Sequence, residues 1–325
     1  YHSWWGIKLL PEVIEEDEGY RNYICGENGI LKKWLRCGIA GYRLDVADEL
    51  PDIFLDDLRK SVKSENENAI IIGEVWEDAT NKFAYGQRRK YLLGEELDSV
   101  MNYPFADAIL NFVRYANGNA FFNAVLSIIE NYPPQVLNVL MNHIGTHDTE
   151  RAITRLAGEN PDGHDRAWQF EHNTLSEFDY LKGISMMKIA SLIQFTLPGV
   201  PSIYYGDEIG MQGMKDPFNR GCMAWDKPNE ELLKWYKRLG QIRHSSKAFI
   251  DGDFEKLYCD GGVIAYSRSS EGDNILVAIN NSNEQKRIFV GTQWDNSYSL
   301  FDEKSVDGFV NLPPYRYTLL SKKEY

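Results

Sequence analysis

A short apolar run that stops at an acid occurs twice in this chain, at the spacing of one strand-helix-strand repeat. Gly41-Tyr42-Arg43-Leu44-Asp45-Val46-Ala47-Asp48-Glu49 is followed, 29 residues after Asp45, by the acid of Ile70-Ile71-Ile72-Gly73-Glu74-Val75-Trp76. Side chains alternate across a strand, so Gly41, Arg43 and Asp45 share one face and Tyr42, Leu44 and Val46 the other. Two such strands joined by a helix run parallel. Asp45 and Glu74 are then expected side by side at the carboxyl ends of neighbouring buried strands, where a (β/α)8 barrel keeps its chemistry. Taken singly, Asp45 with Arg43 fits a structural ion pair equally well, and Glu74 a helix cap. A third run, Val136 to Met141, leads into Asn142-His143-Ile144-Gly145-Thr146-His147-Asp148-Thr149 and again ends on an acid. Three strand ends of this kind are hard to assign to stability alone.

The 325 residues suit one large domain and one small one. A net charge of −13 argues against nucleic acid and anionic membrane surfaces as partners, and does not favour a phosphorylated substrate. A neutral ligand is indifferent to that field. With 8 Trp, 19 Tyr and 15 Phe, flat faces are available on which sugar rings could stack. Cys25, Cys37, Cys222 and Cys259 lack any paired or zinc spacing and read as buried free thiols. That usage tilts toward the cytoplasm without assigning a compartment. No apolar run is long enough to span a bilayer. The chain opens at Tyr1 without an initiator Met, so its true start is expected upstream.

Residues 1–20 read as loop and 27–36 as a helix. A strand at 41–46 leads to a helix opened by Pro51 and Asp52. Then come a strand at 69–73, a helical or loop excursion through Tyr91, and a strand at 97–101. Helices follow at 104–115 and 119–131, and a strand at 136–143. Residues 156–180 are polar and irregular, a loop where substrate contacts are usual. An apolar helix at 183–196, a strand at 201–205 and a helix at 229–245 complete this part. Beyond 246 the texture changes to short alternating runs at 262–268, 274–280, 287–290 and 316–320, a small all-β sandwich. The division is therefore 1–245 and 246–325. The first part holds about five strand-helix units where a closed barrel needs eight. Five parallel strands alone would leave two apolar edges. Three units are expected upstream or from another chain, so the fold class is α/β, a partial (β/α)8 TIM barrel followed by a β-sandwich.

These motifs resemble those of the α-amylase superfamily of glycoside hydrolases, in particular its neopullulanase, cyclomaltodextrinase and amylopullulanase members. Gly41 to Asp45 resembles the fourth-strand motif, Gly73-Glu74-Val75-Trp76 the fifth and His147-Asp148 the seventh. Gly199-Val200-Pro201-Ser202-Ile203-Tyr204-Tyr205-Gly206-Asp207-Glu208-Ile209-Gly210 resembles the eighth. Asp216-Pro217-Phe218-Asn219-Arg220-Gly221-Cys222-Met223-Ala224-Trp225 is similar to a neopullulanase-type loop, and Met101-Asn102-Tyr103-Pro104 fits the sixth strand of that group. The resemblance covers the carboxyl-terminal part of such enzymes.

It implies a retaining hydrolase of α-1,4 and, as in some members, α-1,6 glucosidic bonds in starch-derived glucans, pullulan or cyclodextrins. Asp45 would be the nucleophile, Glu74 the general acid/base and Asp148 the transition-state stabiliser. Arg43 would orient Asp45. His147 would bind sugar hydroxyls at the cleavage subsite, Asp216 and Arg220 the next glucose toward the non-reducing end, and Trp76 would face the leaving group. Chemistry requires one ionised and one protonated carboxyl across the scissile bond. Asp45, beside a cation, suits the first role, and Glu74, among apolar residues, the second. Val75 is typical of members that cut both linkages.

The family's third-strand motif, whose Asp, Asn and His contact sugar and help hold calcium, has no counterpart here, and Ile14 stands where many members have Asn. No metal is therefore assigned, although the family admits calcium, and no Gly-rich phosphate loop indicates an organic cofactor. The competing expectation is a truncated α-glucan-binding chain, or half of a split barrel. The partner is an α-glucan, and a homo-oligomer is compatible with the family. Trp4 and Trp5 read as packing residues, His143 as a core residue and Asp207 with Glu208 as structural. Asp48 and Glu49 read as serving the following loop and helix.

Overall fold

The computed structural model describes residues 1–301 and 305–322, with residues 305 and 306 as backbone only. The chain divides into two compact units, Tyr1–Met101 and Asn102–Tyr325.

In the first unit α1 (Glu18–Cys25) and α2 (Ile30–Arg36) precede β1 (Gly41–Leu44), α3 (Asp52–Glu65) and β2 (Ile70–Gly73). Asp17 starts α1 by accepting from the Tyr20 N–H at 2.9 Å. Apolar residues at helical spacing bury Phe54, Leu55, Leu58 and Val62 on one side of α3. β1 and β2 pair in parallel with Gly41 opposite Ile70 and Leu44 opposite Gly73. After a two-residue hairpin of β3 (Phe83–Ala84) and β4 (Gln87–Arg88), β5 (Ser99–Val100) joins β2 in parallel, for the order β1-β2-β5. Asp98 ties the helix to the sheet: its carboxylate meets Arg59 and Lys63 of α3, each at 2.8 Å, and accepts from the Ile71 N–H at 2.9 Å.

The second unit opens with α4 (Tyr103–Tyr115), α5 (Gly118–Asn131) and one turn, α6 (Pro134–Leu137). β6 (Met141–Asn142) is followed by α7 (Ala152–Ala157), α8 (Arg166–Glu171), α9 (Glu177–Thr196) and β7 (Val200–Pro201), which pairs in parallel with β6. Buried Asn142 locks this pair, donating to the Pro198 carbonyl at 2.7 Å and accepting from Asn102 at 2.8 Å. The Gln194 side chain of α9 donates to the carbonyls of Asn142 and Ser202. These bonds satisfy carbonyls at the end of the ladder.

After α10 (Glu230–Ser245) and α11 (Ala248–Asp251) come β8 (Asp253–Asp260), β9 (Val263–Ser270), β10 (Asp273–Asn280), β11 (Lys286–Phe289), β12 (Ser297–Ser299), β13 (Ser305–Val306), β14 (Phe309–Leu312) and β15 (Arg316–Ser321). A six-stranded sheet of order β13-β12-β15-β10-β9-β8 and the pair β11-β14 share a core of Val263, Leu276, Ile288, Val310, Leu312 and Leu320. This is the two-layer packing expected from alternating runs.

Several local expectations change. Pro133 and Pro134 open a helical turn, because proline suits the first turn of a helix and not a ladder, so the strand at 136–143 shrinks to two residues. The strand at 201–205 is Val200–Pro201, and the chain leaves the ladder after Pro201 to turn at Tyr205-Gly206. Residues 156–180 hold α8 and the start of α9, capped by Asp165 and Ser176. The loop expected over 1–20 ends in α1, which starts at Glu18, and the excursion through Tyr91 contains a β-hairpin. All four cysteines are free, but none is fully buried: Cys25 and Cys259 are half-buried, and Cys37 and Cys222 are exposed. Among the described residues no helix is long and apolar enough to cross a membrane.

Candidate active site

The parallel register that sets Leu44 beside Gly73 delivers Asp45 and Glu74 at the same level beyond β1 and β2. The backbones stay in step past the ladder, since the Glu74 N–H donates to the Leu44 carbonyl at 2.9 Å and the Ala47 N–H to the Glu74 carbonyl at 3.2 Å. Arg43 lies behind both acids. Its Nη1 donates to Asp45 Oδ1, its Nη2 stands 3.1 Å from Glu74 Oε2, and its Nε points at Met101 Sδ at 3.4 Å. One guanidinium therefore bridges the two carboxylates.

The two acids differ sharply in exposure. The side chain of Asp45 is 73% exposed, whereas that of Glu74 is 6% exposed. The strand expected at 41–46 is thus corrected: β1 ends at Leu44, and Val46 turns into the left-handed region at φ 41°, which lifts Asp45 out of the sheet. The expected apolar surroundings of Glu74 are corrected too. Val75 is fully buried, but the carboxylate of Glu74 meets polar groups. Oε2 accepts from the Val46 N–H at 2.8 Å, and Oε1 accepts from Trp76 Nε1 at 3.2 Å. A buried carboxylate needs such donors to offset its lost hydration. Half of Trp76 remains open to solvent.

The second unit assembles its own group. Asp148 lies in the loop after β6, where its N–H donates to Thr146 Oγ1 at 3.1 Å. Its carboxylate has Tyr103 Oη at 3.5 Å, His147 Nε2 at 3.3 Å and Arg220 Nη2 at 4.0 Å. Arg220 Nε pairs with Asp216 at 2.9 Å. Asn219, fully buried next to Arg220, donates to the carbonyls of His147 and Thr149, both at 2.7 Å. His147, Asp148, Asp216 and Arg220 are thus brought together, as are Arg43, Asp45, Glu74 and Trp76 within the first unit.

His143 is buried edge-on against Tyr103, with ring centroids 4.5 Å apart, and burial holds its pKa down to about 3. It is a neutral packing residue. Asp207 is buried beside Arg151 at 3.4 Å, and Arg151 lies over the rings of Tyr204 and Tyr205. Burial pushes the Asp207 carboxyl up to about 7 despite that cation. Among the described residues no cluster of three or more His, Cys, Asp or Glu side chains could hold a metal ion.

Sequence reasoning missed Asn219 and Tyr103 as partners of this group. Both lie within the family-like motifs, but only packing shows what their side chains touch. It also assigned Asp48 and Glu49 to the following loop and helix. They instead hold the hairpin segment: Asp48 takes Lys82 at 2.9 Å and Tyr91 at 2.6 Å, and Glu49 takes Trp5 and Tyr85.

Residues 4–241 match the family described as alpha amylase, catalytic domain, and residues 252–299 the alpha-amylase C-terminal domain. The chain is 34% identical over 286 residues to a cyclomaltodextrinase of Thermoanaerobacter pseudethanolicus, covering 86% of this chain and 44% of that protein. It is 31% identical over 328 residues to an amylopullulanase of Thermoanaerobacter thermohydrosulfuricus, covering 90% of this chain and 21% of that one. The crystal structure of an acarbose-soaked debranching enzyme from Nostoc punctiforme superposes with a TM-score of 0.79 at 26% identity, over 99% of this chain and 65% of that chain. The chain thus spans less than half the length of these two curated relatives. Because the catalytic-domain match takes in well over half of its residues, the chain belongs to the α-amylase family, with a TIM-barrel type of catalytic domain followed by an all-β carboxyl-terminal domain.

Proposed function

We propose that this chain carries the acid-bearing part of a retaining α-glucan hydrolase. Asp45 is the nucleophile, Glu74 the general acid/base and Asp148 the transition-state stabiliser. The observation that carries the reading is the Arg43 guanidinium shared by an exposed and a buried carboxylate on neighbouring parallel strands. A nucleophile must reach the anomeric carbon, which suits exposed Asp45. A proton donor must be aimed and shielded from water, which suits Glu74.

In this reading Val46 and Arg43 hold Oε2 of Glu74, and Oε1 beside the Trp76 indole hands its proton to the glycosidic oxygen. Asp45 attacks the anomeric carbon as that bond breaks, and the leaving glucan departs protonated. Glu74, now a carboxylate, takes a proton from water, whose oxygen displaces Asp45 and restores the original anomeric configuration. Asp148 binds hydroxyls of the distorted sugar more tightly than those of the relaxed one. His147, Asp216 and Arg220 bind the donor sugars, and Trp76 faces the leaving group.

We take β1, β2, β5, β6 and β7 as the fourth to eighth strands of the family barrel. Residues 1–245 are its catalytic part and 246–325 the β-sandwich. The order of the motifs along the chain supports this assignment. The names cyclomaltodextrinase and amylopullulanase, with Val75 after the acid, support cyclic maltodextrins, amylose-type chains and pullulan as substrates, and both α-1,4 and α-1,6 bonds as targets. No step is routed through calcium, because the family's third-strand motif that helps to hold it has no counterpart in this sequence.

The test is product analysis on pullulan with the natural protein that contains this chain, beside its Glu74→Gln variant. Panose reports α-1,4 cleavage and maltotriose α-1,6 cleavage, and the variant should release neither. Unchanged product from the variant would remove Glu74 from the chemistry. Absence of product from the parent would leave glucan binding alone.

A further inference from the structure

Two exposed aromatic side chains, 80 residues apart in sequence, converge on one carboxylate close to Asp45. Trp5 Nε1 donates to Glu49 Oε1 at 3.1 Å, and the Tyr85 hydroxyl donates to Glu49 Oε2. Both rings are fastened by an edge, and they remain 71% and 72% exposed. Trp5 also stacks on Trp4, with centroids 4.5 Å apart and planes 9° from parallel.

The surrounding chain is built to hold them. Trp5 and Tyr85 adopt φ of 50° and 52°, and Val46, three residues before Glu49, adopts 41°. Such backbone costs about 1–3 kcal/mol per residue and clusters where function requires it. Tyr85 sits at the tip of the β3-β4 hairpin, which lies between Lys82, Arg89 and Tyr91. Lys82 and Tyr91 grip Asp48, and Arg89 donates to the carbonyls of Asp48 and Leu50. The hairpin is therefore pinned to the turn Ala47–Glu49, the same turn whose start, at Val46, holds Glu74.

We propose that Tyr85 and Trp5, braced by Glu49, form an aromatic subsite for a glucose ring of an α-glucan, beyond the rings that Asp45 and Glu74 touch. This rests on the glucan reading above. Glucose presents an apolar face of C–H groups that packs on an aromatic ring and hydroxyls around its rim. Here two open aromatic faces flank a carboxylate that accepts at their edges. Bonding to Glu49 pushes the Tyr85 pKa up to about 12, so its hydroxyl stays a donor at neutral pH. The subsite sets preference for chain length, because only an oligosaccharide longer than those filling the cleavage position reaches it.

The test is calorimetric binding of maltose through maltoheptaose to the natural protein in a Glu74→Gln background, which holds ligand without turnover. Tyr85→Ala is expected to weaken maltohexaose and maltoheptaose by about two- to tenfold, the scale of one aromatic contact, while maltose is unaffected. Tyr85→Phe, which keeps the ring, should stay near the parent, and Trp5→Ala should repeat the pattern of Tyr85→Ala. Equal loss at every length would mark Tyr85 as a structural post and overturn the subsite. Unchanged binding of long chains by Tyr85→Ala would also overturn it while leaving the hydrolase reading intact. A parent that binds no glucan of any length would sink both.

Discussion

The backbone N–H of Val46 donates to Oε2 of Glu74 at 2.8 Å, and Val46 does so from a left-handed conformation at φ 41° and ψ 54°. A β-branched residue is rarely found there, because its Cβ crowds the backbone. The strain is met by what it places: one turn that exposes Asp45, aims an N–H at Glu74 and continues into the Asp48 and Glu49 anchors. Asp45 and Glu74 are thus linked twice, through Arg43 and through this turn.

Glu74→Gln keeps the shape of the side chain and still accepts at its oxygen, but it cannot donate and accept a proton as an acid does. Turnover in the natural protein should fall by about 10²–10⁴-fold, the usual size of a general-acid contribution. Glucan binding should survive. Initial rates on pullulan check this, and a loss below about tenfold would contradict the assignment.

Asn219 cross-braces the Asp148 loop through two backbone carbonyls. Asn219→Ala would leave both without a donor in a buried site, at a cost of about 2–4 kcal/mol. Urea unfolding should show that loss, and activity should drop with it as Asp148 loosens. A change under about 0.5 kcal/mol, the size of an ordinary surface substitution, would mean that the brace is dispensable.

Glu96 is buried, has no hydrogen-bond donor on either oxygen among the described residues, and meets its nearest cation, Lys90, at 3.8 Å. Burial raises its carboxyl to about 7. The folded chain then holds a proton that the unfolded chain releases near pH 4.3. The stability this group contributes is whole below the unfolded value and is lost as pH rises through about 7. Glu96→Gln should therefore stabilise the protein at pH 8 relative to the parent and do so far less at pH 5. Thermal midpoints at the two pH values decide it, and an equal shift at both would refute the burial argument.

Gly41 begins β1 at φ 157°, and a Cβ there would lie 2.0 Å from the Ile70 carbonyl oxygen. That oxygen is backbone and cannot swing aside, so β1 and β2 would have to separate. Gly41→Ala should lower the melting temperature and, by shifting Arg43, weaken activity as well. Wild-type stability in this variant would show that the strand pair tolerates displacement.

Much of the scaffold was legible because it depends on local periodicity. The helices at Asp52–Glu65, Tyr103–Tyr115 and Gly118–Asn131 and the strands at Ile70–Gly73 and Asp273–Asn280 arise from spacing and end signals that any few neighbouring residues carry. The pairing of Arg43 with Asp45 was legible for the same reason, being two residues apart on one strand face. Where prolines or a left-handed residue broke the period, at Pro133-Pro134 and Val46, the strands proved shorter than their apolar runs.

By itself the sequence determined that Asp45 and Glu74 stand at the ends of neighbouring strands and in what order, since strand alternation and the length of a strand-helix-strand unit are set along the chain. Only the tertiary structure decided which acid is buried, which donors hold it, and what fastens the loops around it. Val46 to Glu74, Asn219 to His147 and Tyr85 to Glu49 join residues 28, 72 and 36 positions apart. Hydrogen bonds act over about 3 Å. Such partners are therefore chosen by how the packed elements bring distant backbone and side chains within reach.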